Sequence, residues 1–258
     1  MANPTSLQLF KLTPRSNCGK CGFPTCLAFA TQVMVGNGNL CDCPNLDPKA
    51  LAPFYAQLAE RPRTESFAKT FDFLRREVAK WDFRSIADSL GATLEASGEL
   101  LLNYFGNKVR ISADEILSDH ELDPWEKTLL YNYVIRGAVE PSGSWVGMES
   151  LPNSVSKIKS LKTHCEEPLA QTFSRKMAQL SSVGLAHILS DAKADFGADF
   201  QILPKLTVRV LWWDEDPKER FEAKVKFLFD ARVLQVVDLE SLIFACEQLT
   251  NRLLQAQS

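Results

Sequence analysis

The feature that most constrains this chain is a group of cysteines near its N-terminus. Two residues separate Cys18 from Cys21, four separate Cys21 from Cys26, and sixteen separate Cys26 from Cys43. A tight loop therefore offers three sulfurs, and a later turn supplies a fourth. Four thiolates that meet at one point suit either a four-iron cube or a zinc ion. The sequence thus predicts that the start of the chain folds around an inorganic centre.

The residues between these cysteines favour the cube. Gly19 and Gly22 let the backbone bend sharply and turn its amides toward sulfur. Pro24 suits the first position of a helix that the sequence predicts through Met34, and the positive end of that helix would face the bound group. A cube held by four thiolates is an anion, so free amides at a helix N-terminus stabilise its reduced state. Structural zinc and disulfides or free thiols remain as alternatives.

The segment from Leu12 to Ala30, followed by Cys43-Pro44, closely resembles the N-terminal four-iron four-sulfur domain of the corrinoid iron-sulfur protein large subunit. In that family the cube passes single electrons to reactivate oxidised corrinoid cobalt. The resemblance implies a 4Fe-4S cluster and a redox partner that is a corrinoid protein or another anaerobic redox enzyme. It also implies which four residues are the ligands, namely Cys18, Cys21, Cys26 and Cys43.

Cys41 is a further thiol in the same region, two residues before Cys43. It could be an alternative ligand, a fifth thiol near the cube or an incidental neighbour. Only the family spacing and the following Pro44 select Cys43. We therefore expect Cys41 to lie beside the cluster without binding it.

The remainder of the 258-residue chain predicts a second and larger domain. The hydrophobic fraction of the whole chain, 45%, is enough for an ordinary core. Arg61-Pro62-Arg63 interrupts the helical periodicity, which places a boundary there. We predict an α+β protein, with a small cysteine-rich iron-sulfur module over residues 1–60 and a larger domain of helices and antiparallel sheet over residues 61–258.

Composition narrows the classes of partner and the location. The net charge is −3 and the basic residues are dispersed, which argues against a nucleic-acid-binding protein. No segment has the run of apolar residues that a membrane span needs, and the N-terminus lacks the pattern of a secretory signal peptide. We expect a cytoplasmic protein, because that compartment keeps thiolates reduced.

Local patterns predict elements of the larger domain. Asp123-Pro124 should cap and open a helix, which is a better interpretation of the acidic residues around His120 than a metal site. Ile86, Leu90 and Leu94 indicate a short helix. The other predicted elements are a hairpin over 99–111 with a Gly106-Asn107 turn, helices over 167–180 and 183–195, strands over 206–213 and 223–229, and a closing helix from 238.

A second resemblance covers the region from about Trp125 to Leu254, which is similar to an uncharacterised domain family often found behind this kind of iron-sulfur module. It implies mixed helices and a sheet, with no established chemistry. Adjacent Trp212 and Trp213 must face opposite sides of their strand. They and Trp145 are core residues, or they form a surface for a flat ligand such as a corrinoid or for a partner protein.

These observations predict a one-electron iron-sulfur protein whose larger domain binds a partner or cofactor. The alternative is a non-redox binding or assembly protein in which the cluster, or zinc, only keeps the N-terminus folded. The sequence contains no Walker phosphate loop and no local signature of a catalytic nucleophile, so whether the chain is itself an enzyme stays open.

Overall fold

The structure is a computed structural model that describes residues 5–23, 25–35, 40–47, 51, 63–136, 139–174, 186–190, 193–216, 218 and 221–255. It divides into two compact units, residues 1–69 and residues 70–258. The boundary expected between residues 60 and 61 lies outside the described ranges. The architecture is of the α+β class, as predicted, with helices in both units and antiparallel sheets in the second.

The first unit is built on two short helices, α1 (Ser6–Leu12) and α2 (Cys26–Val35), which pack together. Thr5 begins α1 with a capping box, because its hydroxyl accepts from the Gln8 amide and the Gln8 carboxamide accepts from the Thr5 amide. A 3₁₀ turn follows at Leu40–Asp42. Among the described residues, the core of this unit comprises Leu9, Cys21, Phe29, Ala30, Val33, Met34, Leu40, Cys43, Leu46 and Leu51.

Two helices lead into the first sheet of the second unit. Helix α3 (Arg63–Val78) begins in the first unit and ends in the second, and α4 (Phe83–Leu90) follows. Gly91 ends α4 with φ +63°, and a side chain there would meet Pro204 at 2.7 Å. Leu94 therefore lies in a strand, and its predicted place in the helix is wrong. The sheet has the order β1-β2-β3-β4, from Thr93–Leu94, Leu100–Tyr104, Asn107–Ile111 and Ile116–Ser118.

The predicted hairpin is confirmed as β2 and β3, but its turn lies one residue earlier than expected. Phe105 and Gly106 both have positive φ, +47° and +79°, while Asn107 already pairs with Tyr104. Phe105 is buried, and its amide donates to the Ile202 carbonyl at 2.9 Å. These tertiary contacts hold a phenylalanine in a conformation that favours glycine.

The second sheet has the order β5-β9-β8-β7-β6, and every neighbouring pair is antiparallel. Both predicted strands are confirmed, as β8 and β9. The predicted helix over 183–195 is wrong, since β6 lies inside that range and pairs with β7, a strand that the sequence reading missed. The strands are β5 (Trp145–Gly147), β6 (Ala186–Ile188), β7 (Phe196–Leu203), β8 (Leu206–Trp213) and β9 (Lys224–Asp230).

Helices cover one face of this second sheet and complete the core. Trp212, Phe227 and Phe229 point from the sheet into this core and are almost inaccessible. The helices are α5 (Pro124–Arg136), α6 (Val155–Leu161), α7 (Glu167–Phe173), α8 (Val233–Val236) and α9 (Leu239–Gln255), with a π-helical turn at Lys162–Glu166 between α6 and α7. Of the helix predicted over 167–180, the structure describes α7, and residues 175–180 lie outside the described ranges.

Candidate iron-sulfur site

The cysteine loop between α1 and α2 is sharply curled. Gly19 and Gly22 have φ +69° and +85°, and the Gly22 amide donates to the Gly19 carbonyl at 2.9 Å. Arg15 and Asn17 also adopt positive φ, +52° and +48°. Such conformations are unfavourable for residues with a side chain and concentrate at functional sites. These positive φ values mark the loop as a candidate functional site.

Asn17 fastens this loop to the start of α2. Its Oδ1 accepts a hydrogen bond from the Cys26 amide at 2.9 Å, and the Thr25 hydroxyl accepts from the Ala28 amide at 3.0 Å. The helix begins at Cys26, two residues after the predicted start, and Pro24 lies outside the described ranges. Cys26 thus occupies the first turn of the helix, the end that favours negative charge.

The four predicted ligands lie in one neighbourhood. Cys21, Cys26 and Cys43 are 9%, 6% and 7% exposed, whereas Cys18 is exposed. Burial raises the pKa of the Cys43 thiol, and negative charge on Cys21, Cys26 and Cys18 raises it further, against the Asn45 amide that lowers it. Each of the other three cysteines thus contributes to the raised pKa of the Cys43 thiol.

Hydrogen-bond donors surround the exposed sulfur. The Lys20 amide and then the Ser16 hydroxyl lower the pKa of the Cys18 thiol, and the Lys20 charge acts in the same direction. Asn45 Nδ2 donates to Cys18 Sγ at 3.7 Å. The sequence reading missed Asn17 and Asn45, although their places, immediately before the first cysteine and two residues after the last, could have drawn attention to them.

These residues fit an iron-sulfur cluster by the chemistry of their donors. Four thiols are gathered, three of them shielded from water, and N–H groups point at the sulfurs of Cys18 and Cys43. Within the described ranges, no three His, Cys, Asp or Glu side chains converge at the spacing of ligands to a single metal ion. The side chain of Cys41 lies outside the described part of the chain.

The other residues that the sequence singled out have ordinary structural roles or lie elsewhere. Asp123 Oδ1 accepts from the Trp125 and Glu126 amides and Glu126 Oε2 accepts from the Asp123 amide, which confirms the predicted cap of α5. Trp212 is buried, and Trp213 is partly exposed on the opposite face, as the alternation required. No helix among the described residues is long and apolar enough to cross a membrane.

Comparison with known proteins finds separate matches for the N-terminal part of the chain and for the remainder. A family described as "Putative Fe-S cluster" matches residues 14–45, a range that contains all four candidate ligands. The corrinoid/iron-sulfur protein large subunit of Moorella thermoacetica is 46% identical over 46 residues, which is 18% of this chain and 10% of that protein. The acetyl-CoA decarbonylase/synthase complex subunit gamma 1 of Methanosarcina thermophila is 48% identical over 125 residues, 48% of this chain and 20% of that protein.

A gamma subunit of the same complex from Methanopyrus kandleri is 37% identical over 59 residues, 23% of this chain and 13% of that protein. The chain thus spans a fifth or less of the length of these three relatives. No solved structure matches. The N-terminal resemblance noted in the sequence is confirmed by these findings.

The second unit also has a match of its own. A family described as "Domain of unknown function (DUF3786)" covers residues 82–252, which is more than half of the chain. This confirms that an uncharacterised α+β domain follows the cysteine module. The chain belongs to the DUF3786 family and carries an iron-sulfur cluster domain ahead of that region.

Proposed function

We propose that this chain is a one-electron transfer protein whose 4Fe-4S cluster is held by Cys18, Cys21, Cys26 and Cys43. The observation that carries the proposal is the gathering of these four thiols in one loop and turn, with Cys43 within electrostatic reach of the other three. When bound, such a cluster accepts and releases single electrons.

The residues around this site favour the extra negative charge that arrives on reduction. The Lys20 amide and ammonium act on the Cys18 sulfur, and the Asn45 amide acts on the Cys43 sulfur. Hydrogen bonds to sulfur and nearby positive charge raise the reduction potential of a cluster. Cys18 is the exposed ligand, so the surface around it is the natural point of entry and exit for an electron.

The partner that we propose is a corrinoid protein or another anaerobic redox enzyme. This rests on the relatives, which are a corrinoid/iron-sulfur protein and subunits of the acetyl-CoA decarbonylase/synthase complex. A more specific proposal is that the second unit itself binds a corrinoid. We place the protein in the cytoplasm, where thiols that are not bound to metal stay reduced.

A structural role for the cluster, or for zinc, is the second candidate function. It is favoured by the core of the first unit, because the described part of that core includes two of the candidate ligands, Cys21 and Cys43. Units of this size often need a metal to fold. In that case the second unit would carry the function, as a binding or assembly protein.

An anoxic redox titration followed by electron paramagnetic resonance separates the two candidates. Iron, sulfide and zinc are assayed on the same sample. We expect about four irons per chain and a reversible signal. The signal should be lost in Cys43→Ala and kept in Cys246→Ala, a matched removal of a buried thiol from the other unit. Cys41→Ala should also keep it.

Stoichiometric zinc with no reducible signal would refute electron transfer and leave the structural role. The corrinoid is tested separately, by mixing the reduced protein anoxically with cob(II)alamin and following the visible spectrum. Reduction of the cobalt, lost in Cys43→Ala, is the expected result. An unchanged spectrum at high concentration would count against a corrinoid acceptor and leave the cluster assignment untouched.

A further inference from the structure

A row of outward-facing residues crosses the whole second sheet. The register pairs His187 with Asp199, Asp199 with Arg209, Arg209 with Leu228, and Leu228 with Gly147. Asp199, Arg209 and Leu228 alternate along their strands with buried residues of the core, so this central part of the row lies on the face opposite to the helices. Five strands thus bring an imidazole, a carboxylate, a guanidinium and an apolar side chain into one line.

Arg209, at the centre of this row, is held rigidly. Its Nε and Nη2 donate to the two carboxylate oxygens of Asp199 at 2.7 and 2.8 Å. The indole of Trp145 stacks on the guanidinium, with 4.0 Å from Cζ to the ring centroid. This combination of a forked ion pair and cation–π stacking fixes the plane of the guanidinium. Nη1 takes no part in either bond to Asp199.

Beside Arg209 the structure has a cleft of about 370 Å³. Leu189 and Ser190, just after β6, line one side of the cleft, and Leu211 and Leu228 on the sheet line its floor. Lys193 and Arg209 are the cationic residues that line the cleft, and the Asp199 carboxylate that pairs with Arg209 is not among the described lining residues. The volume is in the range of clefts that hold small organic ligands.

The floor of this cleft is more apolar than the solvent-facing side of a sheet usually is. Outward positions of an antiparallel sheet are usually polar when helices cover only the other face. Leu211 and Leu228 occupy such positions, and each is only partly exposed. Apolar side chains with fixed cations beside them are an arrangement suited to a ligand that has an apolar body and an acidic group.

We propose that this cleft binds a small organic anion, with a flat apolar body and one carboxylate, sulfonate or phosphate group. The body would lie on Leu211 and Leu228 next to the indole of Trp145. The acidic group would meet Lys193 Nζ and Arg209 Nη1. This site is independent of the cysteine loop, so it stands or falls separately from the proposed electron transfer.

A pair of fluorescent probes tests the proposal on the full chain purified without oxygen. Anilinonaphthalene sulfonate has a flat apolar body with one sulfonate, and N-phenyl-1-naphthylamine has the same body without charge. Each is titrated against the wild type, Lys193→Glu and Leu228→Ser. The matched control is Lys108→Glu, the same charge reversal at an exposed position of the other sheet. Circular dichroism and the melting temperature establish that each variant is folded.

We expect Lys193→Glu to weaken binding of the sulfonate about five-fold or more, because it replaces an attraction with a repulsion. Binding of the neutral probe should not change. Leu228→Ser should weaken both probes, and Lys108→Glu neither. If Lys193→Glu and Lys108→Glu have equal effects, the sulfonate senses only the overall charge and the proposal is overturned. Binding of both probes that survives Leu228→Ser would also refute it.

Discussion

Cys43 in the first unit and Cys246 in the second are both buried thiols, but their surroundings differ. Cys43 has three other cysteines within electrostatic reach and an amide donor at its sulfur. Cys246 is fully buried in the large apolar core, where burial first and then the charge of Cys165 raise its pKa well above the ordinary value. One environment suits a thiolate ligand, and the other suits a small apolar side chain.

The cores of the two units differ in the same way. In the described part of the first unit, two short helices and a turn pack around a few apolar residues. The second encloses large side chains such as Trp212, Tyr133 and Phe227 between sheets and helices. A large core can stabilise a fold by burial alone, whereas a small one needs additional links. We therefore expect metal ligation to contribute more to the fold of the first unit than to that of the second.

Removal of the metal should have the largest effect and should affect only the first unit. Because the thiolate site does not exist in the unfolded chain, zinc binding supplies about 10 kcal/mol or more of folding free energy in zinc-dependent modules, and we expect a cluster to act similarly. After anoxic treatment with a chelator, amides of α1 and α2 should lose protection from hydrogen exchange. Amides of β7, β8 and β9 should keep theirs. Equal loss in both units would contradict the comparison.

Substitution in the large core should have the opposite pattern. Trp212→Ala removes a ring that is 2% exposed and packs at 5.5 Å from Phe196 and 6.2 Å from Phe200 between ring centroids. We expect a loss of about 3–5 kcal/mol in unfolding free energy, measured with urea, and no loss of iron. Trp213→Ala is the control. Trp213 is the next residue on the strand and its ring is partly exposed, so this substitution should lower the unfolding free energy much less. Iron loss in Trp212→Ala would show that the units depend on each other.

Asn45→Ala tests how a hydrogen bond to a ligand sulfur affects the reduction potential of the first unit. The substitution removes the hydrogen bond from Asn45 Nδ2 to Cys18 Sγ but leaves the backbone amide in place. Because hydrogen bonds to sulfur favour the reduced cluster, the midpoint potential should fall by tens of millivolts. Asn251→Ala, on an exposed position of α9, should leave it unchanged. The same shift in both variants would mean that the measured potential does not report on this contact.

The smallest effect concerns Glu166, in the π-helical turn of the second unit. Burial raises the pKa of its carboxyl, and Oε1 accepts from the Phe227 amide at 3.3 Å. A raised folded pKa means that stability grows as pH falls through it, with the gain complete below the unfolded value of about 4.3. Glu166→Gln keeps the acceptor and removes the buried charge. It should therefore stabilise the protein at pH 7 and have no effect below about pH 4.

Thermal melts at these two pH values test this expectation. Glu167→Gln is the control, because Glu167 is the adjacent residue but is exposed. A stabilisation of Glu166→Gln that persists at pH 4 would have to come from packing and not from the charge. In that case the buried charge of Glu166 would not be what lowers the stability of the second unit at pH 7.

Much of the local structure could be predicted because its determinants are close together in the sequence. The two glycines of the cysteine loop, the cap at Asp123 and the hairpin of β2 and β3 each depend on residues within a few positions. The errors have non-local causes. Phe105 adopts its turn conformation because Ile202 and the core hold it, and β6 is a strand because β7 pairs with it.

The sequence by itself determined that four cysteines would be offered by one loop and one turn, since their spacing limits how far apart they can lie. Only the tertiary structure decided which sulfur is exposed and that Asn17 and Asn45 stand beside them. The row from His187 to Gly147 could not be predicted from the sequence. Its members come from five strands, and a shift of one residue in any register would turn side chains to the other face. Strand pairing, which depends on the packing of the whole unit, therefore creates the cleft.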